Sequence, residues 1–124
     1  IRDAVNRTYF DARLDVDICW GKASRGNRRS IRLGSYSFDE RLIRIHPLLD
    51  QAVVPPYVVV AVVHHEMLHC ALGARKQGGR RMVHTPEFRK REREYRFFDR
   101  SVAWEKEHLA DLLKNRLRPG VPSA

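Results

Sequence analysis

Tyr57-Val58-Val59-Val60-Ala61-Val62-Val63-His64-His65-Glu66-Met67-Leu68-His69 admits two readings, a buried strand over its β-branched first half or a buried helix throughout. The second half decides between them. His65 and His69 are four residues apart, which on a helix stacks them one turn above the other and lets two imidazoles reach one ion. On a strand, residues so spaced would stand about 13 Å apart. Pro55-Pro56 supplies a helix start with proline at its first position, and Gly73 supplies a stop. The spacing therefore predicts a helix. Glu66, turned about a hundred degrees around it from His65, can touch a water on the ion without being a ligand, the geometry of a zinc hydrolase. A chance H-E-x-x-H in 124 residues of this content is expected at roughly one or two in a hundred.

A metal needs a third protein ligand, and His84 is the best candidate because it opens His84-Thr85-Pro86-Glu87-Phe88. Thr85 reads as an N-cap and Pro86 as the first helical residue, which fixes His84 just outside a helix end. Between the two helices, Ala74 to Val83 reads as a flexible loop long enough to bring His84 back to His65 and His69.

Over most of its length the chain resembles the SprT-like metalloproteases, the family that includes Spartan. That family pairs H-E-[ML]-x-H with a later H-G-P-E-F, matched here by His65-Glu66-Met67-Leu68-His69 and His84-Thr85-Pro86-Glu87-Phe88. Asn6-Arg7-Thr8-Tyr9-Phe10 resembles its N-x-x-[YF]-F first helix, Val16-Asp17-Ile18-Cys19-Trp20 its first strand, and Arg44-Ile45-His46-Pro47-Leu48-Leu49 the stretch before its metal helix. Thr85 departs from the usual glycine, and threonine enters positive φ only at a cost. The resemblance implies a zinc protease acting on DNA-associated proteins, with His65, His69 and His84 on Zn²⁺ and Glu66 as general base. Nothing like the family's zinc-ribbon, ubiquitin-binding or clamp-binding elements follows Ala110, so the expectation is the catalytic core.

At this length the chain has room for one domain and one core. Cys19 and Cys70 make neither a disulfide framework nor a cysteine-based zinc site, and read as small, partly buried hydrophobes in a reducing compartment. A cytoplasmic location, nucleoid- or nucleus-associated, is expected. No apolar run approaches a membrane span. The expected fold is α/β in the α+β sense: a small antiparallel sheet packed with helices, with a zincin-like metalloprotease core. A helix is expected from Arg2 to about Leu14, with Ala4, Val5, Thr8, Tyr9 and Ala12 on one side. Val16, Ile18 and Trp20 alternate as a half-buried strand. Ile31 to Tyr36 and Leu42 to His46 make an antiparallel hairpin through Phe38-Asp39-Glu40. Helices follow from about Pro86 to Phe98 and Ser101 to Leu117, so residues 1–117 form the domain and 118–124 a flexible tail.

The formal charge of +9 is unevenly spread. Arg25, Arg28, Arg29 and Arg32 precede the hairpin; Arg75, Lys76, Arg80 and Arg81 occupy the segment between His69 and His84; Arg89, Lys90, Arg91, Arg93 and Arg96 follow. Such clusters attract phosphate by counterion release. The bland reading is a solvated surface, since Glu87, Glu92 and Glu94 are interleaved with the last group. DNA binding is expected at Arg75, Lys76, Arg80 and Arg81, beside a protein substrate that could add as a strand along Arg41 to His46.

His64 points around the helix from His65 and reads as a packing residue, and His46 as a strand end. A rival third ligand is Glu107 with Asp111 behind it, although an exposed charged face explains both without a metal. Tyr95, His108 and a nearby arginine are candidates for the oxyanion donor. The alternative to a peptidase is a non-proteolytic, metal-containing nucleic-acid-binding module, and a fourth ligand would point to a merely structural site.

Overall fold

The computed structural model describes residues 2–10, 12–21, 32–73, 75–77, 80–82 and 84–116, with the predicted tail outside the described residues. The chain runs as α1 (Arg2–Phe10), β1 (Asp17–Trp20), β2 (Gly34–Ser37), β3 (Leu42–Ile45), a 3₁₀ turn (Pro47–Leu49), α2 (Pro56–Leu72), β4 (Arg75–Gln77), β5 (Arg80–Met82), α3 (Pro86–Glu92) and α4 (Phe98–Arg116). It is an α+β arrangement. No described helix is long and apolar enough to cross a membrane.

α2 is the axis around which the rest packs. Pro55 is its N-cap, Pro56 takes the first position, and Gly73 closes it at φ 65°, with its N–H donating to the His69 carbonyl. A φ of that sign favours glycine. The β-branched run stays helical because burial outweighs its weak propensity. Val58 and Met67 are fully buried, Val63 and Leu68 nearly so, and each such side chain contributes about 1.5–3 kcal/mol. α1, α3 and α4 pack on α2, as do β2 and β3, so it is apolar on several sides, as a surrounded helix must be.

The sheet has the order β1-β3-β2 and is mixed rather than antiparallel. β2 and β3 form the expected hairpin, in register Gly34↔Ile45 to Ser37↔Leu42, with Arg41 at φ 52° closing the turn. β1 pairs with β3 in parallel, Asp17↔Leu42 to Trp20↔Ile45. Its alternation is less regular than expected: Val16 is buried, but Trp20 is 50% exposed on an edge strand.

Four further expectations are corrected. α1 ends at Phe10 instead of near Leu14, because Ala12 turns left-handed at φ 58° and its N–H bonds the Asn6 carbonyl at 2.9 Å. The Asn6 side chain then ties the turn from both sides, donating to the Leu14 carbonyl and accepting from its N–H. The buried face of α1 is Val5, Asn6, Tyr9 and Phe10, whereas Ala4, Thr8 and Ala12 are exposed. The segment after α2 contains strands β4 and β5, paired antiparallel from Arg75↔Met82 to Gln77↔Arg80, in place of a loop. Finally, α3 stops at Glu92 and α4 starts at Phe98. Between them Tyr95 turns inward and donates its hydroxyl to the Tyr57 carbonyl at 2.9 Å.

Candidate metal centre

Two elements supply the site. α2 carries His65 and His69 on one side, and the segment leading into α3 carries His84. Thr85 caps α3 as expected, its hydroxyl accepting from the Phe88 N–H at 3.2 Å, with Pro86 behind it at the first helical position. Thr85 has φ −76°, so no left-handed turn is asked of the residue in glycine's usual place. The chain therefore leaves His84, itself exposed, seated beside α2.

His65, His69 and His84 can each present a ring nitrogen within 4.8 Å of the other two. The Nε2 atoms of His69 and His84 are 3.2 Å apart. That matches the ~3.3 Å edge of a tetrahedron built on metal–nitrogen bonds of about 2.0–2.1 Å. Burial, and then the charge of His65, lowers the pKa of His69 to about 4, and the same causes lower that of His84. Both shifts favour the neutral form that ligates a cation. The three histidines lie close enough to bind a metal ion, and among the described residues no fourth ligand joins them.

Phe88 is the floor of this arrangement. It is 1% exposed, and its ring centroid stands 4.9 Å from that of His65, 4.6 Å from His69 and 5.1 Å from His84. One aromatic side chain therefore packs against all three imidazoles and fixes α3 to α2.

Glu66 sits above the floor. Its Oε2 is 4.0 Å from His65 Nε2, the carboxylate is buried, and Oε1 has no hydrogen-bond partner among the described residues. Burial raises its pKa above the usual carboxylate value, against the pull of His65 and Arg32. Gly34 makes room for it: a Cβ there would lie 3.1 Å from Glu66 Oε2 and 2.6 Å from Val62 Cγ1.

Glu92 is the residue that the sequence reading passed over, counting it among the charges interleaved with Arg89 and Arg91. It hydrogen-bonds His65 at Nδ1. Burial alone would lower the pKa of His65, but the hydrogen bond it donates to Glu92 and the charges of Glu66 and Glu92 outweigh it and raise it. The signal was present in the spacing, since Glu92 lies four residues after Phe88 and so shares its side of α3.

A cavity of about 440 Å³ opens at the cluster. Arg32 and Gly34 line it from the β2 side, Ala61, Val62 and Glu66 from α2, and Phe98, Val102 and Glu105 from α4. Glu105 reaches it, while the rival ligand Glu107 is 76% exposed beside His108 and Asp111 is exposed. His64 is packed away from solvent, its ring 4.8 Å from Tyr9 and 5.5 Å from Tyr95. Of the proposed oxyanion donors, Tyr95 spends its hydroxyl on Tyr57, and His108 stacks on Trp104 outside the cavity lining. Arg32 remains at its wall. The side chains of Arg75, Lys76, Arg80 and Arg81, like Arg25, Arg28 and Arg29, lie outside the described residues. No protein-family model, no curated protein and no solved structure matches this chain.

Proposed function

We propose that this chain is a zinc-dependent endopeptidase of the SprT-like kind, built on a zincin-like core, that cleaves DNA-associated or DNA-crosslinked proteins and is stimulated by DNA. The observation that carries this reading is the convergence of His65, His69 and His84 with a buried Glu66 beside them. Three imidazoles with no fourth ligand among the described residues suit Zn²⁺, which when bound would supply a Lewis acid and a water of lowered pKa.

The chain's own residues would do the rest. His65, His69 and His84 hold the ion. Glu66 accepts a proton from the attacking water and returns it to the leaving amine; its raised proton affinity makes it a stronger base than a surface glutamate. Arg32, at the cavity wall, offers positive charge to the developing oxyanion. Strand addition by the substrate is reassigned from β3, whose two edges are occupied by β1 and β2, to the outer edge of β2. Gly34 on that strand abuts Glu66, so a peptide paired there would pass the carboxylate. The basic residues of β4 and β5 stand in sequence between the second and third ligands, where bound phosphate would bring DNA-held proteins to the cleft.

The test incubates zinc-loaded protein with a basic DNA-binding protein, with and without single-stranded DNA, beside Glu66→Gln. Cleavage should rise with DNA, fall with salt, and drop about 10²–10⁴-fold in Glu66→Gln, which keeps its zinc. Replacing Arg75, Lys76, Arg80 and Arg81 together by serine should remove the stimulation and leave zinc content intact. Cleavage indifferent to both DNA and that replacement would defeat the DNA link; absence of cleavage would defeat the peptidase reading.

A further inference from the structure

Among the described residues, His65 is the one imidazole of the cluster that stands between two carboxylates. Glu92 bonds it at Nδ1, and Glu66 Oε2 stands 4.0 Å from Nε2. A neutral imidazole carries a single proton, on one nitrogen or the other. On Nε2, that proton would occupy the lone pair on the side of Glu66, and with Nδ1 taken up by Glu92 the ring could not ligate. On Nδ1 it is donated to Glu92, and Nε2 is left bare. The Glu92 contact is a direct hydrogen bond and the Glu66 one is not, so the arrangement favours the second form.

Glu92 is itself well placed to hold the ring still. It ends α3, the helix whose start seats His84 and whose Phe88 packs under all three rings. His65 and Glu92 side chains are 29% and 22% exposed, so the bond is made largely out of water, where it is stronger. The contrast within the cluster is clear: His69 Nδ1 is buried with no hydrogen-bond partner among the described residues, so none of them fixes its tautomer from that side.

We infer that Glu92 is a positioning residue of the metal centre, which by accepting the Nδ1 proton of His65 fixes the tautomer and ring orientation that turn Nε2 toward the ion. This rests on the metal-centre reading above. It adds that the short helix α3 serves both ends of the site, third ligand at its start and the anchor of the first ligand at its end. Carboxylates that hold a ligating histidine in this way typically account for about 10–100-fold in metal affinity.

The test reads the proton directly. In metal-free protein labelled with ¹⁵N at histidine, above the pH range in which His65 is protonated, long-range ¹H–¹⁵N correlation shows which ring nitrogen bears the hydrogen. The parent chain should show His65 protonated at Nδ1. Glu92→Leu, which keeps bulk and removes the acceptor, should lose that preference and bind zinc about 10–100-fold more weakly in competition with a chelator. Glu92→Gln, whose amide oxygen can still accept, should keep the tautomer and most of the affinity, a rescue that a purely packing role would not produce. Protonation at Nε2 in the parent chain overturns the inference even if Glu92→Leu does not fold, and so does a folded Glu92→Leu with unchanged tautomer and affinity. In both cases a parent chain that still binds zinc leaves the metal centre standing. A parent chain that binds no zinc sinks the metal-centre reading, and this inference with it.

Discussion

Gly34→Ala adds one methyl group at the point where the sheet meets α2. The new Cβ would stand 2.6 Å from Val62 Cγ1, and 3.1 Å from both Cγ and Oε2 of Glu66. Ordinary carbon contacts begin near ~3.5 Å, so Val62 would have to yield by about 0.9 Å. It cannot do so by simple rotation, because a helical valine has one strongly preferred χ1. Overpacking of this kind costs about 1–3 kcal/mol, which at roughly 4 °C per kcal/mol for a chain of this size lowers the melting temperature by about 4–12 °C. The second consequence is chemical. Glu66 is pushed from its seat; under the proposed mechanism, misplacement of a reacting group by ~1 Å costs about 10²-fold, so the proposed cleavage should fall by up to that factor. Zinc affinity should hold, since the contacts made by the new Cβ include no histidine nitrogen. Thermal unfolding, a chelator titration and peptide cleavage together give the pattern. Adding Val62→Ala should relieve part of the clash, with a favourable coupling of about 0.5–3 kcal/mol in the double-mutant cycle. If Gly34→Ala melts and cleaves like the parent, the packing of β2 against Glu66 is looser than argued, and Gly34 has no special role.

His65→Ala, His69→Ala and His84→Ala should each abolish tight zinc binding, measured as metal content after dialysis; retention by His84→Ala would remove it from the ligand set. Phe88→Ala should cost about 3–5 kcal/mol in denaturant unfolding, and should weaken zinc binding too, because the same ring supports all three imidazoles. In metal-free protein, burial lowers the pKa of His64 from 6.5 to about 4, so the native state binds fewer protons than the unfolded chain between those values. That stability is fully present above pH 6.5 and is lost as pH falls toward 4, about 3 kcal/mol in all. His69, lowered to about 4 by burial and by His65, adds a slope of the same sign, so His64→Phe should flatten the acid limb of urea-derived stability without abolishing it. An unchanged limb would show that His64 does not titrate with folding.

The parts of the structure legible in the sequence are those with a local cause. α2 was readable because Pro56, the His65/His69 spacing and Gly73 each act within a few residues, and the β2–β3 hairpin because its turn is short. The parallel pairing of β1 with β3 has no local signature, since partners of a parallel strand are chosen over long separations. β4 and β5 were missed because Arg75-Lys76-Gln77 and Arg80-Arg81-Met82 show no alternation of apolar and polar residues; Gly78-Gly79, a two-residue hairpin signal, was the available clue. Trp20 was expected on the buried side of its strand from its alternation with Val16 and Ile18, but a position on an edge strand leaves it 50% exposed. At the site, the three histidines and Glu66 are readable from spacing and capping. Glu105 and Glu107 differ by two residues in sequence, and only the phase of α4 against α2 decides which one faces the cavity.

The packing of Phe88 has a consequence for how this architecture can diversify. With α3 pinned to α2 through one ring, the geometry of the ligands no longer depends on the length of chain joining them, and the β4–β5 segment becomes a spacer open to insertion. Doubling a connecting segment adds only about 0.6 kcal/mol of closure entropy, less than the stabilisation of about 1.5–3 kcal/mol expected from a single buried phenylalanine. An element grafted between β4 and β5 would thus enter the chain between His69 and His84, and could be lengthened or replaced while the three imidazoles beneath keep their mutual arrangement.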